Sequence, residues 1–166
     1  MELEIRPATP EEAPVVSEIL LEAAQWIREC GHELWTPPQL VVERVAPECR
    51  SGLFFVAWSG VVGVGTMRLT DSDPFFWPDA KEGEAAYLHR LAVRRSVADG
   101  SVSTALLAHA MEVAAVRGAR FLRLDCESSR PRLRRFYERF GFAFHSYRTG
   151  RGVHVARYEL EPRRAG

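Results

Sequence analysis

Hydrophobic spacing along the chain switches repeatedly between a period of two and a period near 3.6. Leu3-Glu4-Ile5-Arg6 alternates as a short strand does. Thr9-Pro10-Glu11-Glu12 then combines a capping hydroxyl, a proline at the first helical position and first-turn acids, which predicts a helix start. Val15, Val16, Ile19, Leu20, Ala23, Trp26 and Ile27 recur at helical spacing until Cys30-Gly31 ends the run. His32 to Gln39 reads as a loop carrying Trp35 and Pro37-Pro38, and Leu40 to Val45 leaves room for a short helix before Pro47. Residues 53–58 and 61–69 are apolar strand runs joined through Ser59-Gly60, a hairpin signal.

Asp71 to Gly83 reads as a polar loop in which Phe75, Phe76 and Trp77 stand exposed. Ala85 to Val93 is the next strand. Ser101 to Val116 is a helix with Val102, Leu106, Ala110 and Val113 on one face, stopped by Gly118. Phe121 to Cys126 predicts a strand, Arg130 to Phe140 a basic helix ended by Gly141, and residues 142–148 and 153–160 a closing pair of strands. The order β-α-α-β-β-β-α-β-α-β-β predicts an α/β fold, a mixed sheet with helices on both faces, in a single domain over residues 1–166. In the unit formed by strand 85–93, turn 94–100 and helix 101–116, free N–H groups at the helix start point to one spot that suits a phosphate.

Composition narrows the class. The chain has 166 residues and is 46% hydrophobic, ordinary for a globular protein. No apolar run reaches the ~20 residues of a membrane-spanning helix, and Met1 to Arg6 lacks a signal-peptide pattern. Three cysteines, Cys30, Cys49 and Cys126, without metal-like spacing predict reduced thiols in a cytoplasmic protein. The formal net charge is zero, yet residues 1–86 carry 6 basic and 15 acidic side chains and residues 87–166 carry 16 and 7. A positive half concentrates an anionic ligand and an acidic half a cationic one.

With Leu91-Ala92-Val93, the loop and helix after it, and Phe136-Tyr137-Glu138-Arg139-Phe140-Gly141-Phe142 in view, the chain resembles the GNAT superfamily of N-acetyltransferases. Tyr137 to Phe142 follows a Leu-Arg-Leu-Asp strand and the strand–loop–helix unit, and the resemblance runs over roughly residues 3–160. It implies the GNAT fold, a mostly antiparallel twisted sheet of about seven strands. It also implies direct acetyl transfer from acetyl-CoA, as co-substrate, to a primary amine on a small molecule or an N-terminus. By the same resemblance, the backbone of Leu91, Ala92 and Val93 would hold the pantetheine arm. Asp99, Gly100, Ser101, Val102, Ser103 and Thr104 would cradle the pyrophosphate. Tyr137 would protonate the departing thiolate. Relatives carry Arg/Gln-x-x-Gly-x-Gly/Ala in that loop, whereas this chain has Ala98-Asp99-Gly100-Ser101-Val102-Ser103. Serines replace two glycines, and Asp99 brings negative charge to an anion site. Arg94, Arg95 and Arg130 could supply the missing positive charge, although relatives often have asparagine where Arg130 stands.

The base has two candidates. His89 shares a strand face with Tyr87, Leu91 and Val93 if the strand is regular, and its intrinsic pKa suits proton uptake. Glu84 stands just before that strand. Cys126 reads as a buried small hydrophobe, and His145 and His154 lack metal spacing, so no metal is expected. The five arginines between Arg130 and Arg139 spread around their helix, and with a pI near 7.0 nucleic acid is not an expected partner, nor is a membrane. A homodimer could form through the C-terminal strands. The rival reading is a catalytically impaired domain of the same fold that senses CoA or a metabolite, favoured by the altered loop.

Overall fold

The structure, a computed structural model, describes residues 1–163. Seven strands, β1 (Glu4–Pro7), β2 (Phe54–Ser59), β3 (Val62–Thr70), β4 (Ala85–Val93), β5 (Phe121–Glu127), β6 (Ala143–Gly150) and β7 (Val153–Leu160), form one sheet in the order β1-β2-β3-β4-β5-β7-β6. Four helices, α1 (Ala13–Glu29), α2 (Val42–Arg50), α3 (Ser101–Val116) and α4 (Pro131–Phe140), complete the expected element order. β4 and β5 are parallel, while β1–β2, β2–β3, β5–β7 and β6–β7 are antiparallel. No helix among the described residues is long and apolar enough to cross a membrane. Backbone contacts group the chain into two compact units, residues 1–68 with 90–107, and residues 69–89 with those from Ala108 onward.

In the first unit, the Glu12 carboxylate accepts from the Thr9 N–H at 2.9 Å and pairs with Arg6 at 2.6 Å. Together with Pro14, this turns the expected helix start into a short 3-10 turn, and α1 begins at Ala13. Val16, Ile19, Leu20 and Ala23 of α1 bury against Val45 and Cys49 of α2 and against Phe54, Val56 and Trp58 of β2. α2 does not stop before Pro47 as the sequence suggested; it runs through to Arg50. Pro47, the sixth of nine residues, removes one backbone donor inside the helix, and the burial of Val45 and Cys49 on either side outweighs that loss.

A bulge between Ala57 and Trp58 shifts the β2–β3 register, so Ala57 faces Gly65 and Trp58 faces Gly63. The two glycines therefore open on opposite sides. A Cβ on Gly63 would meet Val15 of α1 at 2.5 Å, whereas one on Gly65 would meet Val102 and Leu106 of α3 at 2.8 and 3.0 Å and the Ala92 carbonyl at 3.2 Å. Helices thus cover both faces of the sheet here, and Gly65 lets the first turns of α3 approach β3 closely.

The second unit has a charged centre. Trp77, expected to be exposed, is 3% exposed and packs on Ala85 and Tyr87, while Phe75 and Phe76 are half-buried. Its ring lies under two buried guanidinium groups, Arg123 at 4.7 Å and Arg157 at 4.6 Å. Arg123 is ion-paired to Glu84 at 3.1 Å and Glu159 at 3.0 Å, and Arg157 to Asp79 at 2.7 Å. The polar loop folds inward because its tryptophan supplies the aromatic face and its Asp79 one counter-charge that these arginines need.

Gly65→Ala should lower stability by about 1–3 kcal/mol, since the backbone of Ala92 cannot yield as a side-chain end can. Urea denaturation checks this, and an unchanged midpoint would mean that α3 does not depend on the close approach.

Candidate active site

The parallel ladder between β4 and β5 holds only Ala85–Phe121, Ala86–Leu122 and Tyr87–Arg123, although both strands run on. Continued, that register would set His89 opposite Asp125. One residue later, Arg90 takes a left-handed backbone at φ 50°, so the regular alternation assumed for this strand does not carry past His89. His89 therefore keeps Tyr87's strand segment, while Leu91, Ala92 and Val93 follow the kink.

His89 stands with two carboxylates. One donor atom each from Asp73, His89 and Asp125 lies within 4.8 Å of the others. The His89 Nε2 is 3.0 Å from the Thr70 hydroxyl, whose own proton goes to the Ser72 carbonyl at 2.9 Å. The Thr70 oxygen is then the acceptor, which makes Nε2 the protonated nitrogen. Asp73 is 6% exposed; its Oδ1 accepts from the N–H groups of Phe75 and Phe76 at 3.1 and 3.0 Å, while its buried Oδ2 has no hydrogen-bond partner. Burial, reinforced by the Asp73 charge, pushes the Asp125 carboxyl up to about 7, with Arg157 acting in the opposite sense.

Asp73 and Asp125 were absent from the sequence-derived site. Asp125 carried a weak signal, an acid directly after the apolar Leu124 on a strand whose other acidic position, Glu127, is its last residue. Asp73 carried none, because only the inward fold of its loop buries it. These three side chains are also the group best placed, among the described residues, to hold a cation.

Tyr137 lies on α4, whose end is marked by Gly141 at φ 124°. Its ring is buried against Phe142 at 5.9 Å and Tyr158 at 6.5 Å. Burial above all, with Cys126 and Asp125 adding to it, raises its hydroxyl pKa well above the ordinary value, so the phenol keeps its proton. Burial likewise pushes the Cys126 thiol up to about 12, which leaves it protonated and unreactive. Arg130 immediately precedes α4 and is half-buried.

Glu84 is a structural acid. Burial raises its pKa, but the Arg123 hydrogen bond and charge outweigh that and leave it lowered. A carboxylate held ionised against a buried arginine is a poor proton acceptor.

The expected phosphate cradle belongs to the first unit. Gly100 has φ 93° with open space where a Cβ would be, and α3 begins at Ser101. By helix geometry Val102 and Ser103 present N–H groups without intrahelical partners. Asp99 occupies part of this site: its Oδ1 accepts from the Ser101 N–H at 2.9 Å and from the Ser101 hydroxyl at 2.7 Å. Two of the three arginines expected as compensating charge, Arg94 and Arg95, are engaged by α1. Arg94 binds Glu18 at 3.0 Å, Glu22 at 3.2 Å and the Gly63 carbonyl at 2.8 Å; Arg95 stacks on Trp26 at 3.8 Å.

The Acetyltransferase (GNAT) family model matches residues 20–142. The chain is 27% identical over 144 residues to the Bacillus subtilis protein described as uncharacterized N-acetyltransferase YesJ, covering 83% of this chain and 80% of that one. Among solved structures, a GNAT-family acetyltransferase from Listeria monocytogenes superposes with a TM-score of 0.79 at 24% identity, over 96% of each chain. The PaiA N-acetyltransferase of Thermoplasma acidophilum, in complex with coenzyme A, gives 0.77 at 19% identity over 96% of this chain and 100% of its own.

The raised carboxyl of Asp125 sets a pH dependence of stability. The folded state holds this proton up to about pH 7 and the unfolded state only to about 4, so stability from this group is full in acid and lost as pH rises between them. Asp125→Asn should therefore stabilise the protein at pH 8 by on the order of 2–4 kcal/mol more than at pH 4. Denaturant titrations at the two pH values check this; equal effects at both would mean that Asp125 ionises normally.

Proposed function

The chain belongs to the GNAT acetyltransferase family, and on that premise we propose that it moves the acetyl group of acetyl-CoA to a primary amine by direct attack, as a single cytoplasmic domain. Acetyl-CoA supplies the activated acyl group as a thioester. The observation that carries the reading is the short β4–β5 ladder, which ends at Tyr87–Arg123 and leaves His89 beside Asp125 and Asp73.

The backbone of Leu91, Ala92 and Val93 would hold the pantetheine arm in this reading. The first turn of α3, from Gly100 through Ser101, Val102, Ser103 and Thr104, would hold the pyrophosphate, with Arg130 as a further cation; the coenzyme A complex of the PaiA enzyme supports the assignment. His89 takes the proton from the incoming ammonium, giving a neutral amine. The amine nitrogen forms the new C–N bond as the C–S bond breaks. Tyr137, held protonated by its burial, gives its proton to the leaving sulfur, and the second proton that nitrogen loses on becoming an amide restores the phenol. Glu84 has no part in this, since Arg123 already claims its charge. Aminolysis of a thioester by this route calls for no metal.

Asp99 favours a second reading, a domain that binds CoA weakly or senses another ligand. Its carboxylate sits on the Ser101 N–H that a phosphate oxygen would use. Asp99→Asn should tighten CoA binding several-fold in calorimetry by removing the like charge. Unchanged affinity would mean that the pyrophosphate is held elsewhere.

Tyr137→Phe tests the enzyme reading. It should lower kcat by about 100-fold or more, the usual scale for a lost general acid, with CoA affinity unchanged. Thiol release in an amine screen reports kcat and calorimetry reports affinity. A rate equal to wild type would remove Tyr137 from the chemistry.

A further inference from the structure

Arg90 takes its left-handed backbone inside a strand rather than in a turn. The other non-glycine residue with positive φ among the described residues, Arg151 at 49°, is explained by its place. With Gly152 it makes the tight turn between β6 and β7, where such angles are required. No turn accounts for Arg90, and glycine or asparagine would fill its backbone at less cost. Strain of this kind persists where a particular side chain is needed at that spot.

The Arg90 side chain has two charged neighbours, both in the first unit. Glu48 of α2 accepts from Arg68 Nε of β3 at 2.8 Å through its Oε2. The same oxygen stands 4.0 Å from Arg90 Nη1, beyond hydrogen-bond distance. Among the described residues the Arg90 guanidinium donates no hydrogen bond, although its side chain is only 22% exposed. Burial above all, with the Arg68 charge adding to it and Glu48 opposing, lowers its pKa, yet an arginine stays charged. Two guanidinium groups against one carboxylate leave one positive charge unbalanced. A half-buried guanidinium with unused N–H donors matches a carboxylate, which brings a single negative charge and two acceptor oxygens in the plane of the fork. A phosphate dianion would exceed the charge to be balanced. Along the chain, Arg90 stands between His89, the proposed base, and Leu91, the start of the proposed pantetheine segment.

We propose that Arg90 binds a carboxylate on the molecule to be acetylated, and that the acceptor is therefore an amino acid or a similar amino carboxylate. This rests on the acetyltransferase reading and narrows it: an amine without an acidic group would be a poor acceptor. Arg90 determines specificity by touching the substrate. Arg68 is a positioning residue, because its bond to Glu48 keeps that carboxylate from closing on Arg90.

Binding without acetyl-CoA separates this inference from the activity. The common L-amino acids, each beside its own carboxamide, and inorganic phosphate are titrated into wild type, Arg90→Asn and Arg68→Gln, with and without CoA. Calorimetry gives the affinity, and the arginine Nε–H resonances in NMR locate the site. At least one amino acid should shift the Arg90 resonance saturably with a dissociation constant of about 1 mM or tighter. Its carboxamide and phosphate should each bind at least about tenfold more weakly. Arg90→Asn should weaken the amino acid about tenfold or more and leave the carboxamide unchanged; asparagine takes a left-handed backbone readily, so the variant should fold. Arg68→Gln frees Glu48 to pair with Arg90, should weaken the amino acid in the same sense, and serves alone if Arg90→Asn unfolds. No binding by any amino acid of the panel, equal binding of acid and carboxamide, phosphate binding tighter than the amino acid, or affinity unchanged in the folded variants would each overturn the proposal. Amino-acid binding of this kind without thiol release from acetyl-CoA would leave the site standing and remove the acetyltransferase reading. Turnover of amines with no preference for a carboxylate would do the reverse.

Discussion

The pairing of β4 with β5 stops after Tyr87, and the proposed chemistry depends on where it stops. A parallel ladder that continued would set His89 and Asp125 as neighbours in a closed sheet interior. Because it ends at Tyr87–Arg123, the two side chains meet with a third, Asp73, in place of further strand pairing. Arg90 reinforces the break from the β4 side, since a left-handed residue cannot continue a regular strand. Behind the ladder, Arg123 joins Glu84 at the foot of β4 to Glu159 on β7, which fixes the register of the three pairs that do form.

Electrostatics separates the titratable groups into distinct roles. Glu84 and Asp79 are held ionised by arginines and keep the frame. Tyr137 and Cys126 are held protonated by burial. Among the carboxyls of the described residues, Asp125 alone is raised into the neutral range, and it stands next to the histidine that the proposed reaction would use as base. Groups whose protonation states are pushed apart in this way are what an acid–base reaction near neutral pH requires. In the first unit, α1 uses Glu18 and Glu22 to draw Arg94 and the Arg95 backbone onto itself, so the loop before α3 is shaped by structural ion pairs.

Element order, the bounds of α3 and β4, and the β5–α4 unit with its tyrosine were legible from periodicity and capping alone. α2 was not, because a proline inside an amphipathic run reads as a stop unless the burial on either side of it is known. Trp77 was read as exposed because a loop rich in Asp, Pro and Gly gives no sign that two arginines distant in sequence will fold over its indole. The candidate site was legible only in part. His89 was a candidate from its place on β4 and Tyr137 from the family resemblance, while Asp73 joins His89 through a loop and Asp125 through the point where a ladder ends. The roles of Arg94 and Arg95 were hidden for the same reason: their partners lie on α1, far back in the chain.

Whether the first turn of α3 still holds a pyrophosphate despite Asp99 decides the functional reading. The most direct measurement is calorimetric titration of acetyl-CoA into the wild-type protein at neutral pH. The main-chain N–H groups at Val102 and Ser103 and the open backbone at Gly100 lead us to expect saturable binding with a dissociation constant of about 1–100 μM. No binding at about 1 mM acetyl-CoA would contradict the account, because a domain that cannot hold the donor cannot transfer from it.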